Sequence, residues 1–186
     1  MRTRSHVRAV TLGAAATVVV AVGTVTYQAS AAELGGARPR PSASPAPSAS
    51  PIDPPAGLRK IGEFRVVTGT QTYTCTGGVF TGASVPEAKL AGPAGRIHHF
   101  KGPSWQYERD GSLVTAAKVA ERAKTGTIPE LLLQVNSHSG PTNGKLAGVT
   151  HIQRLATSGG VAPTRACTDG TTAAVPYGAL YVFWGN

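Results

Sequence analysis

Ten residues late in the chain carry the clearest information about its fold: Val175-Pro176-Tyr177-Gly178-Ala179-Leu180-Tyr181-Val182-Phe183-Trp184. In an extended strand, successive side chains point to opposite faces. Tyr181 and Phe183 would then lie on one face, and Val182 and Trp184 on the other. A strand with two apolar faces is central, so we expect it either to pack on both sides or to have its outer face covered by a loop or helix. Pro176 cannot donate a ladder hydrogen bond and should lie at a bulge or near the strand start.

Other short apolar segments with strand character are separated by turn residues. The predicted strands cover residues 61–67, 71–80, 97–100, 105–108, 113–119, 131–135, 147–156 and 173–184. The sequence at 109–112 is typical of a hairpin turn, and glycines punctuate 142–144 and 158–160. Only residues 86–91 and 116–124 have a composition compatible with a short helix. We therefore predict an all-β fold, an antiparallel β-sandwich or barrel of about eight short strands with at most one or two short helices.

The N-terminal residues have the organisation of a secretion signal. Three arginines within the first eight residues precede an uncharged apolar run over 9–25, and Ala29-Ser30-Ala31 supplies small residues for cleavage before Ala32. Residues 1–31 are thus predicted to be a signal peptide. The alternative is a retained membrane anchor, because the apolar stretch approaches the roughly 20 residues that span a bilayer.

Residues 32–56 have the composition of a linker. Seven prolines alternate with serine and alanine there, and large apolar residues are almost absent. Such a segment cannot bury a core and behaves as a disordered, semi-rigid spacer. From Gly57 the composition becomes that of a folded protein, so residues 57–186 are predicted to form a single domain without a membrane span.

The two cysteines, Cys75 and Cys167, both lie in this domain. In an exported protein a disulfide between them is the default expectation. It would close a loop of about 92 residues and stabilise the fold by on the order of 4 kcal/mol in the chain-entropy model. Two free thiols or half of a zinc site are the alternatives, and the ligand spacing of a zinc site is missing.

The charge distribution bears on partners and location. Three of the 18 Lys and Arg residues and none of the nine Asp and Glu residues lie in the predicted signal, which leaves a net charge of +6 after cleavage. The basic residues form no run of five or more and are not interleaved with aromatic residues, so nucleic-acid binding is not predicted. We expect a secreted protein, free or at the cell envelope, with weak attraction to anionic wall polymers.

Residues 96–105 hold the densest polar chemistry, including adjacent histidines at 98 and 99. Strand alternation sends these two histidines to opposite faces, and the simplest interpretation is one hydrogen-bonded interior histidine and one exposed. The candidate catalytic residues are His99, Asp110, His151 and Arg154. A metal site built from the two candidate histidines and a carboxylate lacks any local ligand spacing, so no metal or other cofactor is predicted.

Three aromatic residues are candidates for stacking on a sugar: Trp105, Tyr107 and Trp184. Packing in the core is the competing role for each of them. Trp184 is the one expected to be least buried.

No nucleophile elbow or dinucleotide-binding glycine motif occurs in the chain. The function predicted is therefore a non-catalytic extracellular or cell-envelope binding module, with a wall polysaccharide or similar glycan as its partner. A small secreted enzyme, such as a metal-assisted hydrolase, is the alternative.

Several spaced motifs together resemble those of a known family. They are Tyr73-x-Cys75, His99-x-x-Gly102-Pro103-x-Trp105, Asp110-Gly111-Ser112, Ile128-Pro129-x-Leu131-Leu132-Leu133, Gly148-Val149-x-x-Ile152-x-Arg154 continuing to Cys167, and the strand at 175–183. The chain is similar to an uncharacterised family of secreted bacterial and fungal proteins, which implies an extracellular domain of unknown function. Some fungal members are labelled malate dehydrogenase, but that activity needs a nucleotide-binding βαβ unit that this sequence lacks. A dinucleotide-dependent dehydrogenase is not predicted.

Overall fold

A computed structural model describes residues 49–186, and the predicted signal peptide and most of the predicted linker lie outside this range. Within it the chain forms strands and no helix, so none that could cross a membrane. The strands are β1 (Arg59–Thr76), β2 (Val79–Phe80), β3 (Val85–Gly92), β4 (Gly95–Phe100), β5 (Ser104–Tyr107), β6 (Leu113–Arg122), β7 (Glu130–Ser139), β8 (Val149–Gly159) and β9 (Thr172–Gly185). The all-β prediction is confirmed.

The strands close into an antiparallel barrel. From β3 to β9 each strand pairs with the next, and β1 pairs with both β3 and β9, for example through Phe64 opposite Tyr181. β2 adds only two residues to the end of β1. The structure is thus an eight-stranded barrel, the second of the two predicted architectures, and closure removes the exposed sheet edges of an open sandwich.

Both segments considered for a helix are strands, so those interpretations were wrong. Residues 86–91 lie in β3, where buried Ala88 and Leu90 alternate with exposed Glu87 and Lys89. Residues 116–124 lie largely in β6, which pairs along its length with β7. Ala, Lys and Glu favour helices only weakly, and the hydrogen bonds and packing of the closed barrel outweigh that preference.

Inward-facing apolar side chains fill most of the barrel. Phe64 and Phe183 pack edge to face with ring centroids 5.4 Å apart, and Leu90, Ile97 and Ile152 are completely buried around them. Burying a side chain of this size stabilises the fold by about 1.5–3 kcal/mol. This core occupies the same strands that carry the polar residues described below.

The outer face of β9 is covered by residues that precede β1. Leu132, Gln153 and Val182 are neighbours in register across β7, β8 and β9, and all three are buried although they point out of the barrel. Ile52 is 1 % exposed, and its carbonyl accepts a 2.6 Å hydrogen bond from Gln153 Nε2. The packed structure therefore includes residues upstream of Gly57.

The predicted disulfide between Cys75 and Cys167 is formed. It lies in a small second cluster with Tyr73, Phe80 and Ala173, beside the main core. The bridge ties the end of β1 to the loop between β8 and β9.

Candidate functional site

One end of the barrel interior contains a cavity of about 110 Å³, which we call the inner cavity. Residues from β1, β3, β4, β7, β8 and β9, from the segment before β3 and from the loop between β4 and β5 line it. A second depression of about 360 Å³, which we call the vestibule, shares Ser84, Leu131 and Arg154 with it. These shared residues place the vestibule directly beside the inner cavity.

Strand alternation explains why polar groups lie inside this end of the barrel. Arg154 is two residues after the buried Ile152 on β8, and His99 is two residues after the buried Ile97 on β4. Each pair shares one inward face. The same strands therefore present an apolar residue to the core and a polar residue to the cavity.

His99 forms one wall of the inner cavity and is 2 % exposed. Its Nδ1 lies 2.9 Å from the carbonyl oxygen of Ser104, which requires the Nδ1–H tautomer and leaves Nε2 as an acceptor. Burial lowers the pKa of His99 to about 4, and the nearby Arg154 charge acts in the same direction. The imidazole is therefore neutral at neutral pH. His98 lies on the outer face beside Glu87, as alternation predicted.

Arg154 supplies the positive charge of the site. Its Nε and Nη2 donate to the Pro129 carbonyl at 3.1 and 2.9 Å. Within residues 49–186 it forms no salt bridge. The guanidinium is thus half-buried, held by a backbone carbonyl, and without a neutralising carboxylate from the described chain.

Gln71 and Tyr181 complete the polar wall, and Tyr177 lies behind them, next to Tyr181. Gln71 is 3 % exposed, and its Oε1 accepts a 2.5 Å hydrogen bond from Ser84 Oγ, whereas its buried Nε2 has no partner among the described residues. The hydroxyls of Tyr177 and Tyr181 lie 3.3 Å apart, and burial raises the pKa of both. A buried amide without an acceptor costs about 1–3 kcal/mol, so an unused donor at this position points to a ligand.

Sequence reasoning did not select Gln71 or Tyr181 as site residues. The sequence did carry one signal, the two-residue spacing of a strand. Gln71, Tyr73 and Cys75 lie at every second position of β1 and therefore share one inward face. A glutamine that takes the place of an apolar residue among the inward-facing, buried positions of a strand marks a candidate site residue.

The other two catalytic candidates lie outside the inner cavity and the vestibule. Asp110 is in the turn between β5 and β6, where it accepts hydrogen bonds from the backbone N–H groups of Ser112 and Lys145 at 2.8 and 2.7 Å. The Ser112 hydroxyl, followed by these backbone N–H groups, lowers the pKa of Asp110. His151 is half-buried on β8 opposite Trp184, and burial lowers its pKa. The structure thus brings together only His99 and Arg154 of the four candidates.

The three aromatic candidates do not form a common surface. Trp105 and Tyr107 are buried in the barrel core at 1 % and 4 % exposure. Trp184 is half-buried and donates from Nε1 to Gln153 Oε1 at 2.8 Å. Two of the three rings therefore have no face available for stacking on a sugar.

Potential metal ligands are dispersed in the described part of the chain, where no group of three His, Cys, Asp or Glu side chains converges. The inner cavity contributes one histidine and no carboxylate. Its chemistry is that of hydrogen-bond donors around a single positive charge.

A family model described as "Protein of unknown function (DUF3455)" matches residues 83–185. The matched range extends over β3 to β9 and includes His99, Arg154 and Tyr181. No curated protein and no solved structure matches the chain.

Proposed function

The chain belongs to the DUF3455 family of proteins of unknown function, and we propose that it is a non-catalytic extracellular module that binds a ligand in the barrel-end cavity. One observation carries this proposal: in the cavity, no carboxylate of the described residues neutralises the Arg154 charge, and the Gln71 Nε2 amide has no hydrogen-bond partner among them. Buried polar groups are ordinarily paired, so unsatisfied ones lining a cavity favour a binding site.

The chemistry of His99 supports binding over catalysis. A general base works best when its pKa is close to the working pH, and the pKa of His99 is about 4. Its Nδ1 is already engaged with Ser104, and no carboxylate of residues 49–186 bonds to the ring to strengthen it as a base. The two other acid–base candidates, Asp110 and His151, lie elsewhere on the barrel. The secreted-hydrolase alternative therefore has little structural support.

An extracellular location is part of the proposal. The Cys75–Cys167 disulfide is consistent with an oxidising compartment, and the predicted signal over 1–31 and the proline-rich spacer are what an exported, surface-held domain would use.

The form of the site favours a ligand that enters the barrel end. A polysaccharide bound along a surface needs exposed ring faces, and Trp105 and Tyr107 are buried. We therefore propose a small molecule, or the end group of a larger wall component, instead of the flank of a polymer chain.

Ligand-observed NMR with a panel of amino acids, sugars, organic acids and wall fragments tests this proposal. The wild type should bind at least one class, and Ser84→Phe, which puts a ring where the inner cavity and the vestibule meet, should abolish that binding. Asn143→Phe adds the same ring to an exposed turn and serves as the control. Failure of the whole panel to bind, or equal binding by Ser84→Phe, would contradict the proposal.

A further inference from the structure

We infer that the ligand is a small carboxylic acid with an apolar body, its carboxylate held by Arg154 and Gln71 and its body held by Pro86, Leu131 and Leu133. The inference rests on the proposed function, because it names the ligand of the same cavity.

The sign of the ligand charge follows from the charged residues around the cavity. Lys118 and Glu121 at the vestibule pair with each other at 2.5 Å, so their charges offset one another. Arg154 is then the one uncompensated charge among the residues that line the inner cavity and the vestibule. Half-buried and bound to a backbone carbonyl, it favours an anion and repels a cation.

A carboxylate fits this donor set better than a phosphate does. One guanidinium supplies a single positive charge, and two of its donor groups are already bound to Pro129. Gln71 Nε2 offers a second, neutral donor inside the cavity. A phosphate group carries about −1.5 to −2 charges and three strong acceptor oxygens, which these residues cannot satisfy.

The remaining walls determine the body of the ligand. Pro86, Leu131 and Leu133 are apolar, and Tyr181 presents a buried aromatic ring beside His99. The inner cavity, about 110 Å³, is smaller than the roughly 150 Å³ cavity that holds benzene, so an acid the size of benzoate must extend from it into the adjoining vestibule. A sugar acid has a hydroxyl on nearly every carbon, and each would lose its hydrogen bond to water against these walls. An aromatic or short branched acid loses nothing comparable.

Calorimetric titration of the disulfide-intact protein with benzoate tests the inference. Benzoate should bind saturably. Benzamide, which has the same shape without the charge, should have an affinity lower by a factor of about ten or more. Benzylamine and glucuronate should not bind. Equal affinity for benzoate and benzamide, or preference for glucuronate, would overturn the inference.

Variants separate the charge from the fold. Arg154→Gln should weaken benzoate binding by about tenfold or more, and Gln71→Leu, which keeps the side-chain volume, by a few-fold. Arg96→Gln removes an exposed charge on β4 and should leave the affinity unchanged. Circular dichroism checks that each variant is folded. If Arg154→Gln does not fold, Gln71→Leu and the comparison of benzoate with benzamide test the inference instead. Unchanged affinity in a folded Arg154→Gln or, in that case, in Gln71→Leu would overturn the inference.

The two proposals fail differently. If neutral compounds bind, Ser84→Phe blocks them and carboxylates are not preferred, the cavity is a binding site and the carboxylate inference is wrong. If nothing binds in the cavity, both are wrong.

Discussion

The imidazole of His99 stacks on the indole of Trp105, with ring centroids 4.3 Å apart and planes inclined by 6°. Both rings lie inside the barrel, and Tyr181 packs against each of them edge-on. The faces of these aromatic rings would attract a protonated, positively charged imidazole, which alone would raise the pKa of His99. The pKa of His99 nevertheless falls to about 4. Loss of hydration in the buried site therefore outweighs that attraction.

His99 should make folding stability depend on pH. The unfolded imidazole takes up a proton below about pH 6.5, whereas the folded one does so only near pH 4. The unfolded state binds more protons in that interval, so the free energy of unfolding should fall by on the order of 3 kcal/mol as the pH drops through it. Urea unfolding across this range measures the effect.

His99→Phe keeps an aromatic ring beside Trp105 and should remove most of the pH dependence over this interval, the remainder coming from His151, whose pKa burial also lowers. His98→Gln, on the outer face, leaves the buried imidazole intact and should retain the wild-type dependence. The pKa values of Asp110 and Glu130 are lowered in the folded protein. The stability that these two carboxylates contribute should therefore be lost at lower pH than the contribution of His99. An unaltered pH dependence in His99→Phe would show that another group is responsible.

Glu130 should contribute more to stability than an exposed glutamate in a comparable ion pair. Its Oε1 accepts a 2.7 Å bond from the backbone N–H of Ala156, whose φ is 48°, and its Oε2 pairs with Arg122. Glu130→Ala should cost about 2 kcal/mol because it leaves that N–H without its acceptor. Glu121→Ala removes only an exposed pair with Lys118 and should cost less than about 1 kcal/mol. Equal losses in chemical denaturation would refute the role of the backbone bond.

The residues before β1 should stabilise the barrel. Ile52→Ala removes a buried side chain above the outer face of β9 and should lower the free energy of unfolding by about 2–4 kcal/mol. A chain starting at Gly57 should lose at least as much relative to one starting at Ala46. Pro51→Ala changes an exposed neighbour and serves as the control. If the two chain lengths unfold at the same urea concentration, the segment does not contribute.

Removal of the disulfide should destabilise the domain without changing its fold class. The bridge joins residues 92 positions apart. Cys75→Ala/Cys167→Ala should reduce the free energy of unfolding by about 4 kcal/mol. A reductant should shift the wild type toward the double variant and leave the variant itself unaffected. A loss below about 1 kcal/mol would mean that the bridge adds little to a barrel already closed by its strands.

Much of the fold was predictable because strands impose a period of two on the sequence. The two-faced segment around Tyr181 indicated a central strand, and Pro176 lies beside a register shift between β1 and β9, as its missing N–H requires. The helix considered for residues 86–91 in β3 and 116–124 in β6 was wrong, although the strand predicted at 113–119 lies within β6, because Ala, Lys and Glu are compatible with either period over a few residues. Pairing with distant strands decided those segments.

The candidate site was predictable only in part. His99 and Arg154 were selected from their chemistry, and alternation correctly separated His99 from His98. Gln71 was missed because a single glutamine in a strand is unremarkable until its neighbours are known. Asp110 is explained locally, since its carboxylate accepts hydrogen bonds around a turn.

By itself, the sequence determined the strand periodicity, the cysteine pair and the alternation that turns His99 and Arg154 inward, because these depend on local geometry and residue chemistry. Only the tertiary structure decided that the sheet closes, that Ile52 covers β9, and that residues 71, 99, 154 and 181 share one cavity. Barrel closure joins β1 to β9 across more than 100 residues, and no local pattern encodes which side chains then meet inside.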